Sequence, residues 1–339
     1  LVAVLGYRSI DLSTKILGSL VLAEYAIVMI VDAAIAFKGG AQGLSLSDSF
    51  SPGAFFSGSP AIGILFCFAA FIGFESTTIY REEARNPTVT VPRATYISVL
   101  IIGVFYMITS WLMVNGEGAD KLVPTLQGLA DPTTFLFGLA ERYVGSWAPP
   151  IMSFLLVTSL FAGILAFHNA VARYIYVAGR SGLLPSGLGK THPSFQSPYV
   201  ASITQTIIAA TVVAIFVLTK QDPVLALFSW LTNVATLAII VLMFLTALAI
   251  YVFFKKNPNL NSNPLTTKIS PLVSGALLLV LVVFITLNFA GIAGANGFMA
   301  VFLPSLVIIA GLIGWVLALR LRSANPSTFS ELGKNIDEA

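Results

Sequence analysis

The sequence predicts an all-α integral membrane protein. Three observations carry that prediction: an apolar excess, eight hydrophobic runs of membrane-spanning length, and a lopsided distribution of basic residues between the runs. Of 339 residues, 57% are hydrophobic and only 10% charged, with a mean hydropathy of +0.90. A soluble domain is about 45–50% apolar and about 25% charged, so this chain cannot offer water an ordinary surface and its excess must face lipid.

A hydrocarbon core roughly 30 Å thick takes about 20 residues of helix at 1.5 Å each. Runs of that length fall at 13–37, 60–80, 94–114, 147–173, 199–219, 223–254, 269–290 and 297–319. The last two are one apolar stretch divided by Gly291-Ile292-Ala293-Gly294-Ala295-Asn296-Gly297, where glycine and asparagine mark a turn. The basic residues test the count, because lysine and arginine collect in short cytoplasmic segments. Before and at the start of the first run stand Arg8 and Lys15; after the second, Arg81, Arg85 and Arg93; at and after the end of the fourth, Arg173, Arg180 and Lys190. Lys255, Lys256 and Lys268 follow the sixth run, and Arg320, Arg322 and Lys334 the eighth. The alternate segments hold only Lys38, Lys121, Arg142 and Lys220, so 14 of the 18 basic residues share one side. That split supports eight spans, with the segment before the first run and the C-terminus cytoplasmic, in a cell membrane.

The outer segments carry Asp48, Glu117, Asp120, Asp131, Glu141 and Asp222. The longest, 115–146, is expected to hold a short helix over 133–144, capped by Asp131-Pro132 and lying over an external vestibule. The Gly-, Pro- and Ser-rich stretch 179–198 reads as a loop with one interfacial helix. The chain from Leu321 onward reads as a loose tail. At the other end, Leu1-Val2-Ala3-Val4-Leu5-Gly6 has no initiator Met, charged n-region or cleavage site. It is no signal peptide and resembles the end of a helix already under way, which suggests an N-terminally incomplete protein.

The formal charge of +3 comes from scattered basic residues with no dense run, which argues against nucleic acid as a partner. The single Cys67 excludes an internal disulfide and a CxxC site, and its apolar setting predicts a small core residue. Two histidines without an HExxH leave no support for a metal, a cofactor or an enzyme. Gly179-Arg180-Ser181-Gly182 imitates an intramembrane serine protease, but His168 lies thirteen residues back on the same helix, about 20 Å away, and His192 is in a loop beside Pro193. Gly189-Lys190-Thr191 lacks the first glycine and the preceding strand of a phosphate loop. His168-Asn169 reads as an interfacial hydrogen-bonding pair.

An ionisable side chain in mid-membrane costs roughly 2.5–3.5 kcal/mol on insertion scales. Glu24 and Glu75 qualify, with no lysine or arginine at comparable depth. Each must be a protonated carboxyl bonded to a neighbouring helix, face water, or handle a proton or cation. Around Glu75, Phe71-Ile72-Gly73-Phe74-Glu75-Ser76-Thr77-Thr78 is a poor interior for a lipid-facing helix. It is compatible either with a helix broken at midplane or with a continuous one in which Gly73 allows close packing. Ser229, Thr232, Asn233 and Thr236 share one face of the sixth run, and Ser159, Gly163, Ala166 and Ala170 one face of the fourth; both are candidates for packing seams or cavity linings.

Phe71-Ile72-Gly73-Phe74-Glu75, then Glu82-Glu83-Ala84-Arg85-Asn86-Pro87 and Val91-Pro92-Arg93-Ala94, resemble an ordered signature of the amino acid–polyamine–organocation superfamily of permeases. Asn169, Arg173, Tyr176 and Gly179-Arg180-Ser181-Gly182-Leu183-Leu184-Pro185 are similar to a second segment of that family, with Gly179 and Ser181 in place of the commoner Ala and Asp. The resemblance implies a LeuT-type inverted-repeat fold in which the eight runs are helices five to twelve. Residues 1–58 would hold the end of helix four, helix five and an outer loop; 59–258 the second repeat; 259–322 the last two helices; 323–339 a cytoplasmic tail. It also implies substrate contacts at Phe71, Ile72, Gly73 and Phe74, with weaker assignments at Ser159, Phe167, Ser229 and Asn233, and proton or ion coupling at Glu75 and Glu24. Glu24 stands where several branches of the family place a lysine, which puts a lysine mechanism in doubt. The function so implied is secondary transport of an amino acid or related amine by alternating access, coupled to protons. The alternatives are substrate exchange and a non-transporting fragment or accessory subunit.

Overall fold

A computed structural model describes residues 1–7, 11–79, 84–129, 131–258, 260 and 263–332, without the side chains of 11–17, 61, 79 and 331. Arg8, Arg81, Glu82, Glu83 and Lys334, and the side chain of Lys15, therefore lie outside the described residues. Seven helical stretches among the described residues are long and apolar enough to cross a bilayer: Gly18–Lys38, Pro87–Glu117, Ala148–Arg180, Tyr199–Leu218, Pro223–Lys256, Leu265–Leu287 and Phe298–Ala324. Each coincides with an expected run. The remaining run, 60–80, is not one helix. The chain packs into two compact units, Leu1–Gly58 with Gly73–Ile207, and Ser59–Ile72 with Ile208–Ala339. This division by packing differs from the repeat-based one expected from the sequence.

In the first unit, α1 (Val2–Tyr7) and α2 (Asp11–Lys38) lead through two short helices, α3 (Ser47–Phe50) and α4 (Pro52–Phe56). After α6 (Ser76–Ile79) come α7 (Pro87–Glu117), α8 (Ala119–Gly128), α9 (Phe135–Tyr143), α10 (Ala148–Arg180) and α11 (Tyr199–Leu218), which runs on into the second unit. The core is a stripe on α2, Ile27, Val31 and Ile35 at helical spacing, packed against Leu112 of α7, Leu139 and Tyr143 of α9, and Met152 of α10. Burying a large apolar side chain from water contributes about 1.5–3 kcal/mol. Phe135, Leu139 and Tyr143 are thus sufficient to hold the short α9 down.

The expected outer helix is present, as a 3-10 turn over Pro132–Thr134 followed by α9. Asp131 caps it, accepting from the Thr133 hydroxyl at 2.6 Å and the Thr133 N–H at 2.9 Å. These two bonds hold the Asp131 carboxyl below the usual carboxylate range. Tyr143 donates to the Gly116 carbonyl at 2.8 Å. Arg142 meets the buried Glu117 at 2.9 Å, while Thr125 of α8 donates to the other Glu117 oxygen at 2.8 Å. Asn115 ties down the loop after α2: its Oδ1 accepts the Ser45 N–H, its Nδ2 donates to the Trp111 carbonyl, and the Trp111 indole donates to the Ser45 carbonyl.

At the opposite end of α10, α1 lies on His168, whose Nε2 is 2.9 Å from the Ser202 hydroxyl. A Cβ on Gly6 would fall 2.6 Å from the His168 ring, so only glycine admits the contact. The Ser197 hydroxyl donates to the Tyr7 carbonyl at 2.8 Å, and Tyr7 meets His192, Phe195 and Tyr199 edge-on. The loop expected over 179–198 contains a 3-10 turn, Ser186–Gly189, and α10 runs on to Arg180.

The second unit is built from α5 (Pro60–Ala70), α12 (Ser229–Lys256), α13 (Ser270–Leu287), α14 (Phe289–Ala293), α15 (Phe298–Ala324) and α16 (Pro326–Glu331). Leu65, Leu237, Ile240, Leu278, Ile285, Phe289 and Leu303 form its core. The glycine-rich divider is realised as α14 closed by Gly294, in the left-handed region at φ +64°. Two expectations are corrected here. Cys67 is exposed on α5 rather than in the core, being roughly 200° around the helix from the buried Leu65. The stretch after Leu321 is not loose as far as Glu331: α15 runs to Ala324 and α16 starts at Pro326, because Asn325 between them accepts from the Thr328 N–H and Pro326 suits a first helical turn.

Gly179 marks where α10 touches the following 3-10 turn: a Cβ there would lie 2.6 Å from the Gly189 nitrogen, and backbone cannot yield as a side chain can. Gly187 faces open space. Gly179→Ala is expected to destabilise the protein by about 1–3 kcal/mol and Gly187→Ala to leave it unchanged, as measured by the apparent Tm in detergent.

Candidate functional site

The run 60–80 begins as α5, which stops at Ala70. Phe71 and Ile72 turn back onto the helix, donating to the Phe68 and Ala69 carbonyls. Gly73 then takes φ +109°, a region L side chains rarely adopt, and α6 restarts at Ser76. The Glu75 carboxylate folds back to accept the Gly73 N–H at 2.9 Å, while Thr77 and Thr78 donate to the Phe74 and Glu75 carbonyls. The Ala70, Phe71 and Ile72 carbonyls and the Phe74 and Glu75 N–H groups take no backbone partner among the described residues. Backbone released in this way within a membrane protein is tolerated where it lines a cavity, and there it can bind polar solutes. Of the two conformations compatible with this stretch, the chain adopts the broken one. The ring of Phe167 on α10 lies against the turn, 3.9 Å from where a Cβ on Gly73 would stand.

Glu24 lies half-buried on α2, with its Oε1 buried and without a hydrogen-bond partner among the described residues. It lines a cavity of about 720 Å³ with Tyr25, Phe105, Tyr106, Ser159 and Asn169, roofed by Leu136 and Phe137 of α9. Ser159 therefore shares a cavity with Glu24, whereas Phe167, eight residues further along α10, is with Gly73. The volume lies within the range of about 300–1,000 Å³ found for small-molecule sites. Ser229 and Asn233, on the expected common face of α12, bond locally: the Asn233 amide donates to the Ser229 carbonyl at 2.7 Å, and the Ser229 hydroxyl to the Ala293 carbonyl of α14 at 3.1 Å. That arrangement joins two elements of the second unit.

Sequence reasoning passed over Asp32, two turns beyond Glu24 on α2 and close to the C-terminal end of its run. It is 6% exposed, and its Oδ2 accepts the Thr109 hydroxyl of α7 at 2.6 Å. Eight-residue spacing from Glu24 within one apolar run was the signal that could have found it.

A family model described as amino acid permease matches residues 1–318. A branched-chain amino acid permease of Bacillus subtilis is 27% identical over 57% of this chain and 38% of its own length. A vacuolar cationic amino acid transporter of Arabidopsis thaliana is 29% identical over 54% of this chain and 29% of its own. A low-affinity putrescine importer of Escherichia coli is 27% identical over 40% and 28% respectively. Each match thus spans well under half of the relative.

Gly73→Ala is expected to strain the turn by about 1–2 kcal/mol through its positive φ, since the added methyl meets only ordinary contact distance. A lowered apparent Tm together with altered protease sensitivity at 71–75 checks this.

Proposed function

The chain belongs to the amino acid permease family, and from that premise we propose that it is a secondary active transporter moving an amino acid or related amine by alternating access with protons as the coupling ion. The observation that carries the reading is Glu24: a carboxylate with an unpartnered buried oxygen, facing a cavity large enough for a small molecule, on a membrane-spanning helix. A carboxylate so placed attracts a proton or an ammonium group. Tyr25, Phe105 and Tyr106 offer ring faces to an organic cation, and Ser159 and Asn169 offer hydrogen bonds.

In this reading the released backbone at Phe71, Ile72, Gly73 and Phe74 takes the polar ends of the substrate, with Phe167 as an aromatic wall beside the turn. Ser229 and Asn233 are further proposed substrate contacts. Glu75 acts differently from Glu24. Its carboxylate holds the Gly73 N–H, so protonating it weakens the turn, and Glu75 senses pH through backbone conformation. The relatives named as a branched-chain amino acid permease, a cationic amino acid transporter and a putrescine importer support an amine-bearing substrate and leave the side chain open. The proposal includes a cell membrane location with the basic segments, including Lys190, on the cytoplasmic side and Lys121 outside, a reading that the uneven distribution of lysine and arginine supports.

In proteoliposomes, Glu24→Gln is expected to abolish the dependence of uptake on external pH, and Glu75→Gln to flatten it while sparing substrate exchange. A wild-type pH profile in both variants would reject the two carboxylates as coupling groups. For orientation, a membrane-impermeant thiol reagent should label Lys121→Cys from outside the cell and leave Lys190→Cys unlabelled, each on a Cys67→Ala background. The opposite pattern would invert the topology.

A further inference from the structure

Asp32 lies within the spanning stretch Gly18–Lys38, 6% exposed, with its Oδ1 buried and unpartnered among the described residues. It lines a second cavity, of about 560 Å³, whose other walls are apolar: Met29, Leu100, Ile101, Val104 and Ile108 among them. Among the described residues no cation lines that cavity. α2 itself carries Glu24 and Tyr25, which line the other cavity, and Lys38, which sits 5.9 Å over the Tyr143 ring. α7 carries Arg93, Tyr96, Tyr106 and Glu117, the last paired with Arg142. α9 brings Glu141, Arg142 and Tyr143, and α10 brings His168, Arg173, Tyr174, Tyr176 and Arg180; none of these lines the Asp32 cavity. One hydrogen bond from Thr109 does not compensate a full negative charge among hydrocarbon side chains, whereas a neutral acid needs little more.

We propose that Asp32 is a second proton-binding site, loaded from the cavity bordered by α2 and α7 and exchanging its proton with Glu24. The proton sits on Oδ1, while Oδ2 keeps the Thr109 bond in both states. Loading takes the carboxylate from charge −1 to neutral. In the exchange, the O–H bond at Asp32 breaks as one forms at Glu24, so one acid and one carboxylate trade places through intervening water. Eight residues separate the two groups, about 12 Å along the helix. Phe105 lines both cavities and meets Tyr25 edge-on at 4.6 Å, which makes that ring pair the partition the proton must pass. The exchange step rests on the proton coupling proposed above; the protonation of Asp32 does not.

Infrared difference spectra of the full chain in lipid bilayers read the protonation directly. At neutral pH the wild type is expected to show a carboxylic acid C=O band that is lost in Asp32→Asn, retained in Glu24→Gln and shifted in Thr109→Val. Asparagine can still accept the Thr109 hydrogen bond, and Asp32→Glu, which should move the band rather than remove it, serves as the second variant if Asp32→Asn does not fold. Identical acid bands in wild type and Asp32→Asn would overturn the site. Phe105→Ala should increase passive proton leak into vesicles, followed with a trapped pH dye, and an unchanged leak would overturn the exchange path. If wild-type uptake proves indifferent to a proton gradient, the coupling reading and the exchange fall together, while the band lost in Asp32→Asn still decides the binding site.

Discussion

Hydrocarbon provides no hydrogen bonds, and that constraint organises the molecule. Every polar group placed at membrane depth must find its partner within the protein or be left costly. Most find one. Asn115, Trp111 and Ser45 close on one another at the C-terminal end of α7, His168 and Ser202 pair beneath α1, and Ser229 reaches Ala293 in the second unit. Among the described residues, the buried side-chain atoms left without a hydrogen bond include the Trp230 indole nitrogen and one oxygen each on Glu24 and Asp32, and of these the two acids stand out because a carboxylate carries charge. An apolar residue at either acid position would remove the penalty, so their presence points to chemistry the lipid-facing residues cannot perform.

Glycines set the geometry around these groups. Gly73 provides the positive φ that lets one run become two helices, and Gly6 and Gly179 admit contacts at distances no Cβ could share. The first unit therefore combines a rigid frame, where backbone meets backbone at Gly179 and Gly189, with the positive-φ Gly73 beside Phe167. A transporter needs such a contrast, because substrate is held by groups that packing does not already occupy.

Much of this was legible in the sequence. The ends of α11 and of the spanning stretch Pro223–Lys256 fall within two residues of the expected runs because apolar length is set by bilayer thickness and needs no tertiary information. The capped outer helix followed from Asp131-Pro132. The interruption at Gly73 was only half legible, since glycine permits a break without requiring one; the choice is made by the Glu75 carboxylate closing on the Gly73 N–H. Asp32 went unread because its partner, Thr109, lies 77 positions away, and nothing within its own run marks it as buried and bonded. Cys67 was misjudged for a related reason. Hydropathy in a membrane protein does not distinguish a core face from a lipid face, and both read as apolar.

The central claim is that unpartnered carboxylates on α2 couple a proton to the movement of an amine-bearing solute. Simultaneous recording of proton and labelled substrate fluxes in the same wild-type vesicles tests it most directly. The expected result is a fixed ratio of protons to substrate that holds as the gradients are varied independently. Substrate moving downhill or in exchange with no accompanying proton flux at any imposed pH difference would contradict it.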